Sequence, residues 1–313
     1  MKNFAVTGVC GYVAPRHLRA IRDTNNRLVA ACDPRDSAGE LDRHTFDVRF
    51  FTETERFERH LEKLRRGPEN ERVHWLSVCS PNYLHDAHCR LGLRAGADVL
   101  CEKPLVINPW NLDALVEVER ETKRRVYSVL QLRVHDRLVA LRAELARTPG
   151  TRRDVVLSNV TSRGPWYDVS WKGSAEKSGG VPANIGVHFF DLLLWLFGPV
   201  EAVRVHLAEP RRWSGVLELE RARVRWFLSV EPDDLPFTAA PGGRATHRSI
   251  TIDGTEIEFS DGFSDLHTRV YERTLAGEGF GIDEARSSIE LTYAVRNAAP
   301  CAPTTDSHPM LRR

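Results

Sequence analysis

The stretch Cys101-Glu102-Lys103-Pro104-Leu105 ends an apolar run with a carboxylate, an amine and a proline. Proline disfavours helical geometry in the residue before it, so Lys103 leaves the run in an extended, restricted direction. Its ammonium is either a solvated loop charge or a group aimed into a pocket, where it would steady a developing oxyanion. The second chemical feature is Ser178-Gly-Gly-Val-Pro-Ala-Asn184-Ile-Gly-Val-His188-Phe-Phe-Asp191. Asn184 and His188 are four apart and share a helix face, with Asp191 three residues on. Histidine suits proton transfer near neutrality. The competing reading of His188 is a hydrogen-bonded core histidine on an apolar helix.

A nucleotide signal precedes both. Gly8-Val-Cys-Gly11-Tyr12-Val13-Ala14 lies between the first apolar run and the first helical pattern. Glycines there let a backbone approach a pyrophosphate, and the helix N-terminus beyond offers N–H donors. The spacing is G-x-x-G-x-x-A, so a plain strand-to-helix turn is the alternative. Asp33 ends the second strand pattern at about the 20-residue distance expected of an acid that bonds a ribose diol. That carboxylate repels a 2′-phosphate and favours NAD, while Arg35 keeps NADP open. Ser80-Pro81-Asn82 follows another strand and should border the same crevice. His85 and His88 form an H-x-x-H pair with no evident third ligand, so no metal is read. Arg163 and Lys172 stand among Trp166, Tyr167 and Trp171; these offer either a grip on an anionic sugar or a buried edge and oligomer contact. Arg133 is a further substrate candidate.

The elements that must position these groups follow from the hydrophobic period. In the first half, short apolar runs at Phe4–Thr7, Leu28–Cys32, Trp75–Cys79, Asp98–Cys101 and Val126–Leu130 alternate with helical patterns, the signature of a parallel sheet. After Thr148-Pro-Gly-Thr151 the period becomes two, clearest at Arg223–Val230, and implies a mainly antiparallel sheet. The apolar helix His188–Phe197 interrupts it. The expected architecture is an α/β dinucleotide-binding domain, residues 1–130, and an α+β domain with an open antiparallel sheet, residues 131–313.

Bulk properties exclude several classes. A chain of 313 residues suits two domains, since single cores seldom exceed ~250–300 residues. A net charge of +1 argues against a nucleic-acid binder. The opening MKNFAVTGVCGYVA is too short and glycine-broken for a signal peptide. No stretch approaches the ~18 apolar residues of a membrane span. Six cysteines without a C-x-x-C pair read as reduced thiols. A cytoplasmic protein is expected.

The Gly loop, Ser80-Pro81-Asn82, Glu102-Lys103-Pro104 and the glycine-rich segment before His188, in this order, resemble the Gfo/Idh/MocA oxidoreductases of sugars and cyclitols. The resemblance implies a Rossmann domain, an open antiparallel sheet bearing the active site, and Lys103 and His188 around the oxidised hydroxyl. It implies NAD contacts from Gly8, Gly11, Tyr12, Val13 and Asp33, and from Ser80, Pro81, Asn82 and His85. Glu102, Lys103 and Gln131 complete that set. Substrate contacts are expected from Lys103, Arg133, Arg163, Trp166, Tyr167, Trp171, Lys172, Asn184 and His188. The segments GYVAPRH, CSPNYLHDAH, CEKPL, TSRGPWY, SWKG and NIGVHFFD are similar to the UDP-N-acetylglucosaminuronic acid 3-dehydrogenases. That closer resemblance implies a UDP-sugar uronate substrate in O-antigen synthesis, 2-oxoglutarate as a means of recycling the cofactor, and a homo-oligomer, a tetramer. Asn184 departs from the wider family, where many members carry Asp four residues before the histidine. An amide cannot relay a proton, and either His188 or Lys103 is then the base. A sugar or inositol dehydrogenase of other specificity and a non-catalytic NAD sensor are the alternatives.

Overall fold

The computed structural model describes residues 1–36, 38–238 and 243–312. Its residues pack as two compact units: Met1–Gln131 with Ser264–Arg286, and Leu132–Phe263 with Ser287–Arg313. A single division after residue 130 therefore misses the return of Ser264–Arg286 to the first unit. That segment lies more than a hundred residues along the chain, and no local pattern announces its packing.

The first unit begins β1 (Asn3–Thr7), α1 (Ala14–Asp23), β2 (Arg27–Cys32), β3 (Arg49–Phe51), α2 (Thr54–Arg66) and β4 (Trp75–Val78). It continues with α3 (His85–Arg94), β5 (Asp98–Cys101), α4 (Trp110–Thr122) and β6 (Val126–Ser128). Among the described residues these strands form one parallel sheet in the order β3-β2-β1-β4-β5-β6. β1 and β4 are wholly buried, as apolar strands covered on both faces must be. The three-residue β3 is too short to carry an alternating pattern and escaped the sequence reading. The strand order reverses at β1, so the crevice beyond the carboxyl ends of β1 and β4 is the natural ligand position.

The second unit contains α5 (Asp136–Leu145), β7 (Arg153–Thr161), α6 (Trp166–Val169), α7 (Ala175–Ser178), α8 (Val187–Phe197) and β8 (Val200–Ala208). Strands β9 (Arg212–Leu219), β10 (Ala222–Ser229), β11 (Thr246–Ile252) and β12 (Thr255–Glu258) follow. Its sheet runs β12-β11-β7-β10-β9-β8, antiparallel throughout except for the β7–β10 pair. α8 buries Phe189, Phe190, Leu192, Leu193, Leu196 and Phe197 in a core with Leu157, Val224, Trp226 and Leu228 of the sheet. Each such side chain contributes roughly 1.5–3 kcal/mol of transfer free energy. The stretch Ala175–Phe197 is, by length and composition only, apolar enough to cross a membrane, yet most of it is buried within the protein. Its α8 part is the core helix of this sheet. Last come α9 (Leu266–Arg273), which packs on α1 in the first unit, and α10 (Ile282–Asn297). All six cysteines are free thiols, four of them buried.

Candidate functional site

In the first unit the named residues gather at the carboxyl edge of the sheet. Gly8 leaves β1 with φ +74°, and a Cβ there would lie 2.5 Å from the Ser80 nitrogen and 2.6 Å from the Cys79 carbonyl carbon. The glycine loop is thus pressed against the end of β4, where only hydrogen fits. Val13 caps α1, with Tyr12 exposed beside it. Asp33, at the end of β2, is buried; it accepts the Cys10 backbone N–H at 3.0 Å and that of Arg35 at 2.9 Å. This tie between loop and acid was not legible in the sequence.

Ser80, Pro81 and Asn82 follow β4, and Glu102 and Lys103 follow β5. Lys103 is half-buried between the buried Glu102 and Pro104, and its peptide bond to Pro104 is cis. Gln131 opens the turn beyond β6. The edge therefore collects Gly8, Asp33, Ser80 and Lys103 from four strand ends, as a nucleotide cradle requires.

Two residues expected to touch the cofactor have side chains held in internal hydrogen bonds. His85 is wholly buried, its Nδ1 2.7 Å from the Pro104 carbonyl oxygen and its Nε2 2.8 Å from that of Ser80. It fastens the Ser-Pro-Asn turn to the Lys-Pro turn from behind. Burial lowers its pKa, and the two carbonyls offset this in part. The Glu102 carboxylate points inward: Oε1 accepts from His17 Nε2 at 2.9 Å and from His267 Nε2 at 2.8 Å. His17 Nδ1 lies 2.8 Å from the Tyr271 hydroxyl, which is 2.6 Å from Ser77 Oγ. These four partners come from α1, α9 and β4, and none carries a sequence signal.

His88, whose Nδ1 is 2.8 Å from Ser80 Oγ, has its pKa pushed down to about 4, chiefly by burial and then by His85. The unfolded chain takes up this proton near pH 6.5 and the folded chain does not until about pH 4. Stability is therefore present above pH 6.5 and drains as pH falls through that window. The loss from His88 alone is expected to be on the order of 3 kcal/mol. Thermal melts at pH 7.5 and pH 4 check this, and His88→Gln should reduce the dependence.

In the second unit, Pro182–Gly186 forms a π-helical turn that runs directly into α8. Such turns often serve sites, because they displace side chains from regular spacing. Asn184 and His188 are half-buried while Ala183, Val187 and Phe189 are buried, so both face the same open side. Arg163, Trp166, Tyr167, Trp171 and Lys172 gather in the loop after β7. The Arg163 guanidinium lies 5.9 Å from the Trp166 ring, and Lys172 Nζ lies 5.4 Å from Trp166 and 5.7 Å from Trp171. Burial and then Arg163 lower the Lys172 pKa. Tyr167 is buried, which raises its pKa, while the neighbouring Asn184 amide pulls it back. The loop aromatics and the helix amide thus meet in one cluster.

Arg211, unmarked in the sequence, braces this loop: it donates to Asp168 at 2.9 Å, to Glu231 at 2.8 Å and to the Arg163 carbonyl at 2.7 Å. Arg133, a substrate candidate in the sequence, grips Asp191 through Nε and Nη2 at 3.0 and 2.7 Å, a buried ion pair under α8. Burial raises the Asp191 pKa, with Arg133 opposing. The cation was legible; its buried partner on α8 was not.

Two family models match the chain: an oxidoreductase family NAD-binding Rossmann fold over residues 2–130, and that family's C-terminal alpha/beta domain over residues 155–296. The WlbA (WbpB) dehydrogenase of Thermus thermophilus is 50% identical over 99% of this chain and 100% of its own, with TM-score 0.94. The chain belongs to the Gfo/Idh/MocA oxidoreductase family.

That Thermus thermophilus enzyme was solved with NAD and alpha-ketoglutarate, and with NAD and UDP-GlcNAcA. A curated relative, the D-glucoside 3-dehydrogenase of Escherichia coli, is 28% identical over 42% of this chain and 38% of its own length. The chain matches about two fifths of the length of the first such curated relatives, 40%, 38% and 36%. Family membership makes the first unit the NAD-binding Rossmann fold of an oxidoreductase. The Gly8 cradle, which a Cβ would fill, and the Asp33 carboxylate fit that cofactor.

Proposed function

We propose that the protein oxidises the 3″-hydroxyl of UDP-N-acetylglucosaminuronic acid to the ketone. The observation that carries this reading is the 50% identity over the whole chain to an enzyme solved with NAD and that sugar nucleotide. The cluster of Arg163, Lys172 and Trp166 supports it: two cations beside an exposed indole suit a substrate that bears a diphosphate, a carboxylate and flat sugar faces.

NAD, when bound, supplies the hydride acceptor. Gly8, Gly11, Tyr12 and Val13 would hold its pyrophosphate at the start of α1, Asp33 its ribose diol, and the turns after β4 and β6 its nicotinamide end. In the proposed chemistry His188 takes the hydroxyl proton as the C3–H bond breaks. The Lys103 ammonium stabilises the forming alkoxide, worth about 3 kcal/mol in comparable sites. The converse assignment, Lys103 as base, is the alternative that substitution of each residue separates. Asn184, beside Tyr167, orients and does not relay a proton. Arg163, Trp166, Trp171 and Lys172 hold the sugar nucleotide.

Alpha-ketoglutarate in the related structure supports recycling of the reduced cofactor by 2-oxoglutarate. The wider role we assign is synthesis of diacetamido-mannuronic acid for O-antigen, by a cytoplasmic tetramer. The test is incubation with UDP-N-acetylglucosaminuronic acid and 2-oxoglutarate. A 3-keto sugar and 2-hydroxyglutarate in equal amounts are expected. Turnover of inositol or a simple glucoside in preference to the UDP-sugar would overturn the substrate, and a stable reduced cofactor with added 2-oxoglutarate would overturn the recycling.

A further inference from the structure

The buried group at Glu102 has no role in the chemistry above, and its placement is costly. A carboxylate taken out of water is tolerated only when it is hydrogen-bonded. Here it accepts three N–H groups: His17 Nε2 and His267 Nε2 at Oε1, and the backbone N–H of Lys103 at Oε2, 3.2 Å away. Two of the three donors reach it from outside its own loop, one on α1 and one on α9.

The proton arrangement follows from the partners. Glu102 stays ionised, because although burial raises its pKa, the His17 and His267 bonds together hold it well below the usual carboxylate range. His17 is kept neutral, since burial dominates and lowers its pKa. Its one proton then sits on Nε2, facing Glu102, and its Nδ1 accepts from the Tyr271 hydroxyl. The Tyr271 oxygen in turn accepts from Ser77 Oγ. Each member has a defined donor and acceptor sense, which leaves the carboxylate little freedom to rotate.

The donor set of His17, His267 and Glu102 is also one that divalent metals use. Hydrogen bonds account for it better. Both N···O separations are hydrogen-bond lengths, and His267 Nδ1 has no acceptor among the described residues to orient it as a metal ligand's second nitrogen is usually oriented.

We propose that Glu102 is a positioning residue for Lys103, clamped from α1 by His17 and from the returning segment by His267. This rests on the role of Lys103 under the proposed function. The carboxylate fixes the backbone from which the lysine projects, while His85 fastens the proline on its other side. Ser264–Arg286 thereby acts as a brace for the lysine turn.

The test uses the full-length protein saturated with NAD. Glu102→Gln keeps the shape but cannot accept all three N–H groups. It should lower kcat by about 10–100-fold, since misplacement of a catalytic group is costly, with KM for the sugar and Kd for NAD changed less than about threefold. Amide hydrogen exchange at Lys103 should quicken at least about tenfold. His267→Gln, which retains a donor, should recover most of the rate that His267→Leu loses. This pair decides the matter if Glu102→Gln does not fold. Normal kcat in a folded Glu102→Gln, or loss of NAD affinity in parallel with kcat, overturns the proposal. So does one equivalent of divalent metal in the purified protein. If the wild type is inert toward the UDP-sugar, the substrate reading fails, and the exchange rate at Lys103 still judges the brace.

Discussion

Lys103→Met is expected to lower kcat by at least ~100-fold, with NAD binding kept within about threefold of wild type. Methionine preserves the length and apolar stem of lysine but removes the ammonium. The loss therefore measures charge stabilisation at the reacting oxygen. His188→Asn should cost at least ~100-fold as well, by removing the proton acceptor. The two differ in pH response. If His188 is the base, Lys103→Met should retain the acidic limb set by the histidine and lose the basic limb set by the ammonium, whereas His188→Asn should respond to added hydroxide or external imidazole. Steady-state kinetics from pH 6 to pH 10 separate the roles. Near-normal rates in both variants would overturn the roles proposed for Lys103 and His188.

Gly8→Ala is the second large effect. The added methyl would meet backbone atoms of Ser80 and Cys79 at 2.5–2.6 Å, and these belong to the strand end that carries the Ser-Pro-Asn turn. They cannot yield as a flexible side chain would. The residue also sits at φ +74°, where an L-residue pays an additional ~1–2 kcal/mol. We expect a stability loss on the order of 3 kcal/mol and at least a tenfold weaker NAD affinity, roughly 1.4 kcal/mol per decade. Gly11→Ala is the control. Its nearest contact is the Gly8 carbonyl oxygen at 3.0 Å and its φ is ordinary, so calorimetry and NAD titration should find a markedly smaller change. Equal losses at both positions would mean that the loop's tightness is not what matters.

What the sequence revealed and what it hid divide along physical lines. β1, β2, β4 and β5 were legible because buried parallel strands are continuous apolar runs between helical patterns. The second sheet was legible through the alternation of Arg223–Val230, which structure shows as β10 with its buried face in the core. The Gly loop, Asp33 and Lys103 carry local signals: a turn needing glycine, an acid at a strand end, a lysine fixed by proline. Pairings between distant polar residues carry none. Nothing near Arg133 indicates that Asp191 will take its guanidinium, and nothing near Glu102 indicates His17 or His267. Histidines at 17, 85 and 267 look alike in the sequence, yet each is defined by what the fold brings to its two nitrogens. The part of the site that holds chemistry is therefore local in sequence, and the part that holds it still is not.

The central claim is that hydride leaves C3″ of the sugar nucleotide, and position-specific labelling tests it most directly. UDP-N-acetylglucosaminuronic acid deuterated at C3″, turned over with NAD and 2-oxoglutarate, should give unlabelled 3-keto sugar and 2-hydroxyglutarate carrying the deuterium at C2. Deuterium retained in the sugar after turnover would contradict the account.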